Sequence, residues 1–223
     1  MTTGNRVTWL AMGISVLLAS GITVSPAQSR AAKEPREHVG SVAKPVVHSG
    51  EPVRIRKIEG LGRRGYVMTP EYEVRMTQAR SAKQTQNWGQ VQVDYDTEPK
   101  WIDELTIVFY AMAETLEEGK KVYSFYQLTT RYGDVEQGRG HLAAAYLRPQ
   151  TLKRYGDLIA IAVEISQAGK VVAEMTEGKM PPRWWKDTEV TGRPEVVTRA
   201  GALLERNQTP FALINIDDYE VVK

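Results

Sequence analysis

The chain of 223 residues contains no cysteine. That absence excludes disulfides, thiolate metal sites, a cysteine nucleophile and a lipid-modified N-terminal cysteine. Histidine is nearly as scarce. His38 and His48 lie before Gly50, which leaves His141 alone in the rest of the chain, so a catalytic triad or a His-rich metal centre is poorly supplied. No Gly-x-Ser-x-Gly elbow is present, and Gly60, Gly62 and Gly65 lack the Lys-Ser/Thr ending of a phosphate-binding loop. Charge of one sign is also missing. Five of the 29 Lys and Arg and two of the 27 Asp and Glu precede Glu51, leaving the remainder at a net −1. That balance gives no electrostatic basis for nucleic-acid binding. No internal repeat is found.

One long uncharged run is present. Residues 7–24 carry no charged side chain and follow Arg6, the order of n-region and h-region in a signal peptide. Small residues at Ser25, Ala27 and Ser29 follow, so residues 1–27 are expected to be a cleaved signal segment, with export to the periplasm or cell surface. An uncleaved anchor is the rival, because the run at ~1.5 Å per residue approaches the ~30 Å hydrocarbon core. Gly13, Gly21 and the break at Pro26 favour cleavage. Residues 28–50 are mixed in charge, have no period of 2 or 3.6, and read as a flexible linker. Residues 51–223 are long enough for one domain with its own core.

Within that domain the periods are those of strands. Val53, Ile55 and Ile58 alternate with Arg54, Arg56 and Lys57; Tyr72, Val74 and Met76 alternate with charged residues; Val91, Val93 and Tyr95 oppose Gln90, Gln92, Asp94 and Asp96. The run Thr97-Glu98-Pro99 is expected to end the third strand, and residues 105–113 to form a central one. Glu117-Glu118-Gly119-Lys120 predicts a hairpin into residues 122–129, and 131–140 predicts a turn before a strand at 141–147. Residues 149–155 predict one helical turn opened by Pro149. Gln167-Ala168-Gly169 joins strands at 158–165 and 171–175. Residues 177–194 read as irregular, 196–204 as a short helix or strand, and 211–222 as holding a last strand. Many strands on short turns predict an all-β fold, a two-sheet β-sandwich or barrel.

Few residues offer chemistry. Asp94, Asp96 and Asp103, with Glu104, cluster around Trp101 and are the candidate ligands for a hard cation, or carboxylates for glycoside hydrolysis. The plainer reading places Asp94 and Asp96 on the solvated face of a strand. Trp184 and Trp185, behind Pro181-Pro182-Arg183, are the candidate ligand-binding pair: exposed indoles would stack on sugar rings or anchor a protein. Alternatively, at least one indole caps an open end of the sandwich. Arg54, Arg56, Lys57, Arg63 and Arg64 would touch anionic glycans or lipid headgroups, or simply form a solvated strand face. His141 is expected to be structural or at the surface. No cofactor and no catalysis are expected.

Two stretches carry a family resemblance. Trp88-Gly-Gln-Val-Gln-Val-Asp-Tyr95-Asp-Thr97-Glu-Pro99-Lys-Trp101-Ile-Asp103-Glu-Leu105, running into Phe109-Tyr110, resembles a signature of small secreted proteins of Verrucomicrobia. Thr209-Pro210-Phe211-Ala212 followed by Asp217-Asp218-Tyr219 is similar as well. Such proteins occur beside type IV pilus-like machinery in gut members such as Akkermansia. The resemblance implies an immunoglobulin-like β-sandwich with a structural or adhesive role and envelope or pilus-like partners. A carbohydrate-binding adhesin is the alternative. The leader is not that of a pilin, since the first acidic residue, Glu34, lies outside the apolar run.

Overall fold

The computed structural model describes residues 52–70, 85–214 and 219. The signal segment (1–27), the linker (28–50) and the strand expected at 72–76 lie outside the described residues. So does most of the strand expected within 211–222, whose first residues, 211–214, form a turn and bend.

Strand β1 (Val53–Glu59) buries Val53, Ile55 and Ile58 and turns Arg54, Arg56 and Lys57 to solvent. Its pairing shifts register between Ile55 and Lys57; that bulge sets two basic residues side by side before the inward face resumes at Ile58. A 3₁₀ turn, Gly62–Gly65, leads into β2 (Tyr66–Met68). A Cβ on Gly65 would lie 2.1 Å from the Gly60 carbonyl oxygen, so only glycine closes this turn.

Strands β3 (Asn87–Glu117) and β4 (Lys120–Leu147) form one antiparallel hairpin. Glu118 and Gly119 join them with φ of 51° and 79°, the double positive φ that suits a two-residue hairpin turn. Helix α1 (Pro149–Tyr155) follows, then β5 (Asp157–Gln167) and β6 (Lys170–Gly178), then helix α2 (Thr188–Thr191), β7 (Val196–Thr198) and β8 (Leu203–Glu205). The eight strands make one mixed sheet in the order β6-β5-β3-β4-β7. β1 and β2 add to β3, and β8 adds to β4.

The sequence predicts two sheets, and the structure has one that doubles over. The first part of β3 pairs with β1, β2 and the last part of β4; the second part of β3 pairs with β5 and the first part of β4. Inward side chains from both parts, Val91, Val93 and Tyr95 on one and Ile107, Phe109, Ile161 and Val163 on the other, meet in a single core. The fold is therefore mostly β with few helices.

The bend explains where the strand boundaries depart from expectation. Thr97-Glu98-Pro99 does not end the strand. The ladder jumps there from Thr97 to Trp101, so Pro99, which has no N–H, sits in a gap of the pairing and costs no hydrogen bond. Residues 131–140 do not form a turn but continue β4, with Asp134 and Gly140 at φ of 52° and 75° absorbing the distortion. The stretch expected at 196–204 holds β7, parallel to β4, and the first two residues of β8, antiparallel to it.

Candidate functional site

The tryptophan pair is not exposed. Trp184 is 0% and Trp185 7% exposed, packed with Met112, Phe125, Ala160 and Ala162 on the outer side of β3, β4 and β5. Small alanines at 160 and 162 leave the room the indoles fill, and Trp184 Nε1 donates to Thr176 Oγ1 at 3.2 Å. Around them a charge network closes the segment down. Lys186 pairs with Glu164 and, at 3.0 Å, with Glu174; Arg183 Nε lies 2.5 Å from Glu174; Tyr110 Oη donates to Glu164 at 3.0 Å. Burial and the adjacent Glu164 carboxylate push the Tyr110 phenol well up. Residues 179–187 are thus a strap over this face, and sugar stacking on exposed indoles is overturned by their burial.

The three aspartates do not converge either. The Asp96 carboxylate accepts from Gly140 N–H at 2.9 Å and faces Arg56 at 3.7 Å; Asp94 is half-buried on the same strand; Asp103 is exposed beyond the bend. Among the described residues no group of three acidic or histidine side chains is placed to hold a metal ion. His141 lies 3.1 Å from Thr97 Oγ1, with its ring against Tyr95 and Tyr219. The basic group of β1 and the following turn is partly neutralised, Lys57 and Arg64 both reaching Glu59 and Arg56 reaching Asp96.

What the fold builds instead is a cleft of about 740 Å³ at one end of the sheet. Its walls come from the turn before β2, the end of β3, helix α1, the start of β5 and the end of β6. Gly156, at φ 82°, lets the chain pass from α1 into β5 against the Glu114 carbonyl, which a Cβ would meet at 2.0 Å. Across the cleft Tyr66 Oη donates to Asp157 Oδ1 at 2.5 Å. Burial, followed by that hydrogen bond and the carboxylate charge, holds the Tyr66 phenol up at about 12, so it keeps its proton at neutral pH. Glu114 is engaged by Lys121 at 3.1 Å. Leu152, Leu158 and Ile159 supply apolar wall, and Leu116, 69% exposed, stands at the mouth.

Chemically the cleft is a socket. Its Tyr66 phenol is tied to Asp157 and its Glu114 carboxylate to Lys121, while Thr115 and Lys179 also line it. Sequence reasoning missed it because Tyr66 and Asp157 are 91 residues apart. The one local signal was the glycine spacing at 60, 62 and 65, read only as a turn.

A crystal structure of a protein from Akkermansia muciniphila is similar, with a TM-score of 0.62 and 21% identity over 81% of this chain and 98% of that one. No curated protein matches the chain. At that identity the likeness speaks for the fold alone. A family model matches residues 63–223, which takes in every strand from β2 onward. The chain belongs to that family.

Proposed function

We propose that this protein is a non-catalytic, exported envelope protein that serves as an accessory component of a type IV pilus-like assembly, acting through protein contacts. The observation that carries the reading is the end cleft. Its phenol and carboxylates are engaged internally while Leu116 and Tyr66 remain exposed at the rim, an arrangement that receives an apolar side chain of a partner. An immunoglobulin-like sandwich is part of the proposal, supported by the doubled sheet around one core and by the fold-level likeness to the Akkermansia protein. The uncharged run at residues 7–24 supports delivery to the periplasm or surface.

A photo-crosslinking side chain at position 116, in the native host, tests the contact. Adducts with components of a pilus-like assembly are expected in the envelope fraction. Recovery of uncrosslinked monomer alone, or of the protein in the cytoplasm, would overturn the reading.

A further inference from the structure

Tyr155, the last residue of α1, carries two guanidinium groups over its ring. Arg154 Cζ lies 5.1 Å and Arg199 Cζ 4.3 Å from the ring centroid. Arg154 has an ordinary explanation, since a cation in the last turn of a helix suits the helix dipole. Arg199 has none of that kind. It comes from the turn after β7, half-buried, and is fixed at several points. Its backbone N–H donates to the Phe125 carbonyl at 2.8 Å, and its Nε makes a long hydrogen bond of 3.5 Å to Ser124 Oγ. Ser124 is fully buried on β4 and also serves the buried Tyr126 phenol. The guanidinium therefore sits over the ring with Nε at the long end of hydrogen-bond range, and its terminal nitrogens make the fork that remains.

That fork meets no carboxylate or carbonyl among the described residues, and neither does the Arg154 guanidinium. Arg56, Arg64, Arg131 and Arg183 each reach a carboxylate and Arg193 donates to a carbonyl, while Arg54, Arg63, Arg139 and Arg148 are unmatched among the described residues, like the corner pair; what sets Arg154 and Arg199 apart is that they share one ring. Two like charges gathered on one ring repel each other, and Arg199 has given up side-chain freedom to be there. A ligand that bridges both cations relieves the first cost and uses the second, because an ordered guanidinium fork matches the paired oxygens of an oxyanion.

We propose that Arg154, Tyr155 and Arg199 form a binding site for a doubly charged oxyanion of the phosphomonoester or sulfate class. The charge decides the class. Two cations on one ring are matched in charge by one dianion, whereas a single carboxylate leaves one cation unmatched. The site is separate from the end cleft and does not depend on the function proposed for it.

The test uses the full chain at constant ionic strength and pH 8, above the second phosphate ionisation near 6. Inorganic phosphate, sulfate and acetate are titrated in turn, following the NMR shifts of the Arg199 Nε–H and the Tyr155 amide. Saturable shifts with phosphate and sulfate, and weaker ones with acetate, are expected. Arg199→Lys keeps the charge but loses the fork and weakens phosphate binding about tenfold. Arg154→Gln, at an exposed position in the last turn of α1, weakens it as well, and Arg63→Gln, in the turn before β2, leaves it unchanged. Vesicles carrying phosphatidic acid, with phosphate as competitor, distinguish a lipid headgroup from a free anion. Absence of saturation, equal binding of acetate, or equal loss in the Arg63 variant would overturn the proposal.

Discussion

The strap at 179–187 and the corner at Tyr155 use cations in opposite ways. Over the strap, Arg183 and Lys186 meet Glu174 and Glu164, and every charge drawn toward the sheet finds a partner within the chain. At the corner, Arg154 and Arg199 share an aromatic ring and find no carboxylate among the described residues. A charge placed for folding is matched internally, since a buried unmatched charge is expensive. A charge that is positioned yet unmatched points outward, to something the protein meets. The comparison therefore predicts that changes at the strap are read in stability, and changes at the corner in binding.

The largest effect belongs to the strap. Trp184→Ala removes a fully buried indole from a tight cluster and is expected to lower the unfolding free energy by about 3–5 kcal/mol, measured by urea denaturation. A change below about 1 kcal/mol would show that the strap is not part of the cooperative unit. Lys186→Met comes next, with a loss of about 2 kcal/mol because Glu164 stays buried without its cation. Replacing Glu164 by Gln in the same chain recovers part of that loss, which a double-mutant cycle reads directly.

Acid weakens the strap before it touches the corner. Burial alone would raise the Glu174 carboxyl, but the hydrogen bonds and charges of Lys186 and Arg183 hold it below its ordinary 4.5. A depressed folded value means that folding favours the ionised form. The contribution is whole above the unfolded carboxylate value and is lost as pH falls through the depressed one. Stability should therefore slope downward below about pH 4.5, and Glu174→Gln should flatten that slope. At the smallest end, Arg199→Lys is expected to shift stability by no more than about 0.5 kcal/mol while weakening anion binding. A loss as large as that of Lys186→Met would erase the contrast between the two regions.

The sequence made the local pattern legible and hid the distant pairing. Alternation at Val91, Val93 and Tyr95, the hairpin at Glu118-Gly119 and the helical turn at 149–155 all lie within a few residues, where side-chain period and turn chemistry decide the outcome. The bend in β3 was misread because Thr97-Glu98-Pro99 carries breaker residues, and only the register of the facing strand shows that the ladder tolerates them. For Trp184 and Trp185 the sequence left two readings open, an exposed pair or at least one indole capping the sandwich. Their burial follows from Ala160 and Ala162, more than twenty residues earlier on another strand, and no local period announces that. Tyr66 with Asp157, and Tyr155 with Arg199, were invisible for the same reason.

The length of β3 and β4 sets how the molecule answers to force. Both layers are cut from the same two covalent strands, so neither can peel away as a separate sheet without the hairpin itself being undone. Tension applied to one layer passes along the backbone into the other, and the molecule should yield in a single step rather than layer by layer. For a protein proposed to sit between envelope partners, that makes the two halves one mechanical element.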